Sequence, residues 1–181
     1  MNQITLSDSE LLILGLVAEM PRHGYELEQV IEQRAMREWT RIGFSSIYYV
    51  LGKLKKNGLI SAETPENPRS RKRYRLSDQG QEVLIQQTLE TLETVQPAYP
   101  SLLMGLIHLS NLTQDQAVRA FQKRRTNLEA ELERVKRIQF EQQPLPDYVD
   151  AIFEYSIKQL DTELDWLDHT LAYLENKTWI Y

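Results

Sequence analysis

Lysine, arginine and tyrosine side chains are concentrated between residues 34 and 75, and together they can bind a polyanion. This stretch holds 11 basic and 3 acidic residues, although the whole chain has a formal net charge of −5. Guanidinium and ammonium groups bind phosphate oxygens, and phenol hydroxyls can donate to phosphates or to base edges. Since binding depends on the local field, this stretch favours contact with a nucleic-acid backbone despite the acidic balance of the chain.

The first basic group lies on a short predicted helix with Ser45 as its N-cap and Asn57-Gly58 as its left-handed stop. Ile47, Leu51 and Leu54 form its apolar face, and the polar residues at spacings of three and four share the opposite face. We expect the polar face to enter a major groove, with the helix start near base edges or phosphates. The contacts predicted on this helix are Ser45, Ser46, Tyr48, Tyr49, Lys53 and Lys56.

The second basic group lies on a predicted β-hairpin that follows this helix. Residues 59–64 and 72–76 have the composition of two strands, and the loop between them contains two prolines. Alternation along the second strand directs Tyr74 and Leu76 to one side, where we expect packing, and the arginines to the other. The arginines would reach a minor groove or phosphates. The contacts predicted on this hairpin, the wing, are Arg69, Ser70, Arg71, Lys72, Arg73 and Arg75.

Each basic element, taken alone, also has an explanation that involves no ligand. A lysine-rich helix face is often only solvated, and a charged turn can keep an edge strand from aggregating. Two neighbouring elements that are both basic favour the binding surface over either of these interpretations.

The elements around the basic residues predict a winged helix-turn-helix. Ser7 and Glu10 form a capping box for a first helix that ends before Pro21, and a second helix opens at His23-Gly24-Tyr25. Ser77-Asp78 caps a fourth helix that runs to about Val95. The order helix, helix, helix, strand, loop, strand predicts a mainly α fold with a small β-hairpin, in which residues 1–95 form the N-terminal winged helix-turn-helix domain.

The second half predicts a C-terminal antiparallel helical, coiled-coil dimerisation domain over residues 96–181. Two long helices keep apolar residues at alternating spacings of three and four, as coiled-coil seams do. We expect a hairpin within the chain to bury part of these seams and a second copy to bury the remainder, which predicts a homodimer. The residues assigned to dimerisation are Leu128, Leu132, Val135, Leu160, Leu164, Leu167 and Leu171.

Several classes of protein are excluded or disfavoured by what the sequence lacks. The chain has no cysteine, which excludes disulfides, cysteine-ligated zinc and thiol nucleophiles. His23, His108 and His169 are too scattered to form a metal motif, and no phosphate-binding loop or hydrolase signature is present. We therefore expect no catalytic residue, metal or cofactor, and no enzymatic activity. Without a long apolar run or a signal sequence, we expect no membrane association and a cytoplasmic location.

The sequence resembles the PadR family of transcriptional regulators. The resemblance rests on His23-Gly24-Tyr25-Glu26-Leu27, on Ser46-Ile47-Tyr48-Tyr49-Val50-Leu51, and on Arg73-Tyr74-Arg75-Leu76-Ser77 with Gly80. The second half, with residues 128–132 and 161–167, is similar to the larger PadR subfamily. The resemblance implies a homodimer built by the C-terminal helices. Such a dimer binds an inverted-repeat operator in double-stranded DNA, usually as a repressor released by a small effector such as a phenolic acid or drug. Many members have proline where this chain has Tyr49, so the operator sequence does not transfer.

Two other functions compete with this one. The winged helix could serve as a protein-interaction module that docks an acidic partner without binding DNA. An acid–base enzyme using C-terminal carboxylates and His169 would need a concave site, of which the sequence gives no sign. The aromatic residues of the second half are compatible with a pocket for a small aromatic effector, although the sequence does not assign its residues.

Overall fold

Helices dominate the structure, which is a computed structural model that describes residues 4–38, 40, 42–63 and 72–176. Within them the helices are α1 (Asp8–Glu19), α2 (Gly24–Gln33), α3 (Phe44–Lys56), α4 (Asp78–Glu93), α5 (Ser101–Ile107), α6 (Gln114–Glu141) and α7 (Asp147–Asn176), and the strands are β1 (Arg22–His23), β2 (Ile60–Glu63) and β3 (Arg73–Leu76). The mainly α fold with a small β-sheet is confirmed. The chain divides after Pro97 into two compact units.

Local capping chemistry sets the ends of the helices in the N-terminal unit. The backbone N–H of Ser7 donates to the Glu10 carboxylate at 2.9 Å, which is the predicted capping box of α1. Ser77 Oγ accepts from the backbone N–H of Gly80 at 2.9 Å and so caps α4 as predicted. After α3 the chain turns through Gly58 at φ 74°, the left-handed conformation that favours glycine.

A three-stranded antiparallel sheet in the order β1-β3-β2 lies beside these helices in the described residues. The predicted hairpin is confirmed as β2 and β3, with Ser61 opposite Arg75 and Glu63 opposite Arg73. The prediction missed β1, whose His23 lies opposite Arg73 on the other side of β3. A strand of two residues is too short to show an alternating pattern. Its pairing places β3 at the centre of the sheet and fixes the base of the wing.

The core of the N-terminal unit holds α3 in one orientation. Ile47, Leu51 and Leu54 are 0% exposed and share one cluster with Leu14 of α1 and Leu27 of α2. Since a helix has a fixed rotation between successive side chains, burial of these residues directs the opposite face of α3 outward. The orientation of the predicted contact face therefore follows from core packing.

The C-terminal unit is built around the antiparallel pair α6 and α7. A capping box begins α6, because Thr113 Oγ1 accepts from the Gln116 backbone N–H and the Gln116 side chain accepts from the Thr113 backbone N–H. Ion pairs flank the apolar seam, and one of them joins Arg125 Nε to Asp168 at 2.6 Å. The seam also includes Phe121, whose ring meets Trp166 edge-on with centroids 6.0 Å apart.

Four residues assigned to dimerisation already have partners within the chain. Leu132, Val135, Leu167 and Leu171 are at most 9% exposed in a single copy. Leu128, Leu160 and Leu164 are half-buried. A heptad pattern does not distinguish a seam within one chain from a seam between two, and here α6 and α7 form it together. The assignment of these residues to a dimer interface stays a prediction.

Gly80 brings the first turn of α4 against the backbone that leads into β2. A Cβ atom at this position would lie 2.0 Å from the carbonyl oxygen of Leu59 and 2.9 Å from Leu76 Cδ1. We expect Gly80→Ala to destabilise the N-terminal unit by about 1–3 kcal/mol, the usual cost of overpacking, or more because the obstacle is backbone. Chemical denaturation monitored by circular dichroism measures the effect.

Gly15→Ala is the matched control for this substitution. Gly15 lies inside α1, and a Cβ atom there would meet nothing within 4 Å. The control should stabilise the protein by about 1 kcal/mol, the helix propensity difference between glycine and alanine. An equal effect of the two substitutions would contradict the close approach at Gly80.

Candidate nucleic-acid interface

The outward face of α3 carries the side chains that the sequence predicted to share it. Tyr49 is 73% exposed, Lys56 is exposed, and Ser46 is half-buried at the edge of the face. Gly52 lies between Tyr49 and Lys56 on this face, and a Cβ atom there would meet nothing within 4 Å. Sequence reasoning missed Gly52, although its spacing of three from Tyr49 and four from Lys56 was available as a signal. A ligand can approach the helix backbone closely at this residue.

The start of α3 differs from the prediction. The helix begins at Phe44 with Gly43 in the extended N-cap conformation, so the prediction that Ser45 is the N-cap is wrong. The backbone N–H of Ser46 donates to the Gly43 carbonyl at 3.1 Å. Serine is more common than glycine at N-caps, although glycine is tolerated there. The sequence prediction therefore chose Ser45 instead of Gly43. The side chains of Glu38, Phe44 and Ser45 lie outside the described part of the chain.

Tyr48 lies between the two faces of α3. Its side chain is 53% exposed, yet its ring closes over Gly24 at the first turn of α2. A Cβ atom on Gly24 would lie 2.7 Å from Tyr48 Cε1. The small residue at position 24 therefore allows the two helices to meet here, and half of the Tyr48 ring remains available to a ligand.

Lys53 has a partner within the N-terminal unit. Its ammonium lies 2.7 Å from Glu10 Oε1, and the Glu10 side chain is only 3% exposed. Burial raises the pKa of Glu10, but the contacts with Lys53 and Ser7 outweigh it and leave that pKa below its usual value. The contact with Glu10 also raises the pKa of Lys53. The positive charge of Lys53 is therefore compensated inside the protein, which the sequence did not indicate because the two residues lie far apart along the chain.

The strand β3 confirms the predicted alternation at the base of the wing. Tyr74 and Leu76 pack against the core of the N-terminal unit, while Arg73 and Arg75 are exposed. Arg75 does not project as an unpaired cation, because its guanidinium lies 2.7 Å from Glu63 Oε1 on the neighbouring strand. Exposed ion pairs of this kind are weak, so Arg75 can exchange Glu63 for a phosphate at small cost.

Part of the predicted wing lies outside the described residues. This applies to Arg69, Ser70 and Arg71. The described end of the wing begins at Lys72, whose carbonyl oxygen lies 3.1 Å from His23 Nδ1. That contact and the β1–β3 pairing attach the wing to the start of α2.

Four cations of α3 and the wing form no ion pair with any carboxylate in the described residues. They are Lys55, Lys56, Lys72 and Arg73. Uncompensated exposed cations attract phosphates over a distance set by the ionic strength. The chemistry on this surface is thus charge attraction, donation from a phenol and a hydroxyl, and close approach at a glycine.

The C-terminal unit contains an open, mostly apolar groove of about 440 Å³. Its lining comes from Leu106 of α5 and from Trp166, His169, Thr170 and Tyr173 of α7. Its volume lies within the range of small-molecule sites, about 300–1,000 Å³. Elsewhere in the described residues, no group of three or more histidines and carboxylates is arranged to hold a metal ion. No described helix is long and apolar enough to cross a bilayer.

The fold places this chain among winged-helix proteins with an appended helical unit. It is similar to the structure of Bacillus subtilis PadR in complex with operator DNA, with 21% identity, a TM-score of 0.71 and coverage of 91% of this chain and 98% of that one. B. subtilis PadR in complex with p-coumaric acid gives 21% identity, a TM-score of 0.75 and coverage of 92% and 98%. The Vibrio cholerae virulence activator AphA is also similar, with 15% identity, a TM-score of 0.70 and coverage of 93% of this chain and 98% of that one. At these identities the similarity shows the fold.

Residues 13–86 match the model of the Transcriptional regulator PadR-like family. No curated protein matches the sequence significantly. The matched residues include α2, α3, the described strands and the first half of α4, and so contain the whole cationic surface described above. The match covers about two fifths of the chain and is to a family of transcriptional regulators, whose members are not enzymes.

Proposed function

We propose that the chain recognises a specific double-stranded DNA sequence with α3 in the major groove and the wing over the adjacent phosphates or minor groove. The observation that carries this proposal is the position of the uncompensated cations. Lys55 and Lys56 extend from the end of α3, and Lys72 and Arg73 from the neighbouring wing. Phosphate contacts of this kind position a helix, while side chains such as Ser46 and Tyr49 near its start meet base edges.

Docking onto an acidic protein is the competing interpretation of the same surface. Docking onto an acidic protein explains the positive charge of the surface. It does not explain the exposed face of α3 between the basic groups, where Tyr49 and Gly52 would lie against the base edges of a major groove. A gel shift with random-sequence duplex at low salt separates the two, since the interaction module would leave the duplex unretained.

We propose further that two copies bind together as a homodimer through their C-terminal helices. Exposed apolar side chains in the C-terminal unit support this, among them Met104 and Ile107 of α5 and Phe140 of α6, at 55%, 65% and 81% exposure. A dimer presents two copies of α3 related by a two-fold axis, and so requires a palindromic site.

The regulator is proposed to act as a repressor that a small aromatic effector releases from its operator. The similarity to B. subtilis PadR bound to operator DNA and bound to p-coumaric acid supports this, as does the open apolar groove beside Trp166. Activation of transcription is the second candidate, because the V. cholerae virulence activator AphA shares the fold. Titration of p-coumaric acid into the protein–DNA complex tests the release.

Replacing Arg71 and Arg73 of the wing with alanine should weaken binding to all duplexes about equally. Loss of a phosphate contact lowers the magnitude of the slope of log K against log salt concentration by about 0.9. Fluorescence anisotropy across a salt series measures both quantities. The matched control is Lys136→Ala with Arg137→Ala, two exposed cations of α6. A slope that is the same in the wing variant and in the wild type would contradict the assignment of the wing.

Replacing Tyr49 with phenylalanine should change which sequence binds best and leave binding to random duplex nearly unchanged. The substitution removes only the hydroxyl, and one lost base contact costs about 1–3 kcal/mol at the base pair it reads. Selection of bound sequences from a random pool, compared between variant and wild type, reveals the change. Tyr148→Phe, at an exposed tyrosine of α7, serves as the control. Identical selected sequences for all three proteins would show that Tyr49 reads no base.

The selected wild-type sequences should be palindromes with half-sites separated by one turn of B-DNA, about 34–36 Å. Sedimentation of the free protein and of the complex gives the number of chains bound. A single asymmetric half-site bound by one chain would contradict the dimer.

A further inference from the structure

Glu10 is a buried carboxylate that the proposed function does not use. It occupies the third position of α1, and its Oε2 accepts from both the backbone N–H and the Oγ of Ser7, each at 2.9 Å. Its Oε1 lies 2.7 Å from the Lys53 ammonium. The carboxylate therefore joins the start of α1 to the outer part of α3 through a side chain that is 3% exposed.

We propose that Lys53 is a positioning residue for DNA binding, whose partner in the complex is Glu10 rather than a DNA phosphate. This inference rests on the proposed function. It changes the set of expected contacts on α3, since Lys53 was predicted to touch DNA together with Tyr49 and Lys56.

A phosphate contact by Lys53 would leave a negative charge buried without its partner. The Glu10 carboxylate cannot follow the lysine outward, because the capping hydrogen bonds with Ser7 hold it at the first turn of α1. Because the Glu10 carboxylate is buried, leaving it without a partner costs more than an exposed contact of Lys53 gains. The raised pKa of Lys53 and the lowered pKa of Glu10 agree with a pair in which both members are charged.

The pair also restricts how α3 can turn about its own axis. Ile47 and Leu54 hold the inner face of the helix in the core. Lys53 lies at the edge of the outward face, and its link to Glu10 of α1 resists rotation of the helix about its axis. Orientation of a recognition helix affects base contacts more than it affects charge attraction.

The double variant Glu10→Gln with Lys53→Met separates a positioning pair from a phosphate contact. It removes one charge of each sign, so the net charge of the chain is unchanged. Glutamine can still accept from Ser7, and methionine retains the apolar stem of lysine. We expect the double variant to keep the wild-type affinity for random duplex and the wild-type salt slope. A decrease of the slope magnitude by about 0.9 would overturn the proposal, because it would show that Lys53 neutralises a phosphate.

Two single variants complete the experiment. Lys56→Met, at an exposed lysine on the same face, should lower the slope magnitude by about 0.9. Lys53→Met should weaken binding to the selected wild-type sequence more than binding to random duplex. Adding Glu10→Gln should restore the part of this loss that comes from leaving the buried carboxylate without a partner. A loss that Glu10→Gln leaves unchanged would overturn the pairing.

Thermal unfolding of the wild type, both single variants of the pair and the double variant supplies a measurement that needs no DNA. We expect the two substitutions to be non-additive, and additive effects would overturn the proposal. DNA binding by the wild-type protein tests the proposed function separately, because its result does not depend on the Glu10 and Lys53 variants.

Discussion

Burial of one face of α3 is the constraint on which the rest of the surface depends. Ile47, Leu51 and Leu54 are inaccessible to solvent, and the fixed geometry of a helix then places Tyr49 and Lys56 outside. The core does not touch a ligand, but it sets the direction of every side chain that would. The sheet has the same role for the wing, because β1 and β2 hold β3 from both sides and direct its arginines outward.

Ion pairs within the chain divide the cations of this surface into two kinds. Lys53 and Arg75 are neutralised by Glu10 and Glu63. No described carboxylate pairs with the other described cations of α3 and the wing, which are Lys55, Lys56, Lys72 and Arg73. The two neutralised residues also differ from each other. The carboxylate of Glu10 is buried and fixed, while Glu63 is exposed and can be replaced by another anion. A count of positive charges therefore overstates the number of phosphates that the surface can bind.

Most of the fold could be predicted from the sequence because its signals are local. The capping box of Ser7 and Glu10 and the left-handed stop at Gly58 depend on residues a few positions apart. Two of the features that were missed depend on tertiary contacts. A two-residue strand such as β1 exists only through its pairing with β3, and the partner of Lys53 lies in another helix. The seam between α6 and α7 is limited in the same way. A heptad pattern predicts that a helix packs against another helix, but it does not show whether that helix belongs to the same chain or to a second copy.

The cationic surface formed by α3 and the wing should bind duplex DNA. Equilibrium binding of the wild-type protein to duplex, measured across a range of salt concentrations, tests this expectation. We expect tight binding at low salt and a linear fall of log K with log salt concentration, with a slope of about −0.9 for each phosphate neutralised. Absence of binding at low salt, or binding that does not depend on salt, would contradict it.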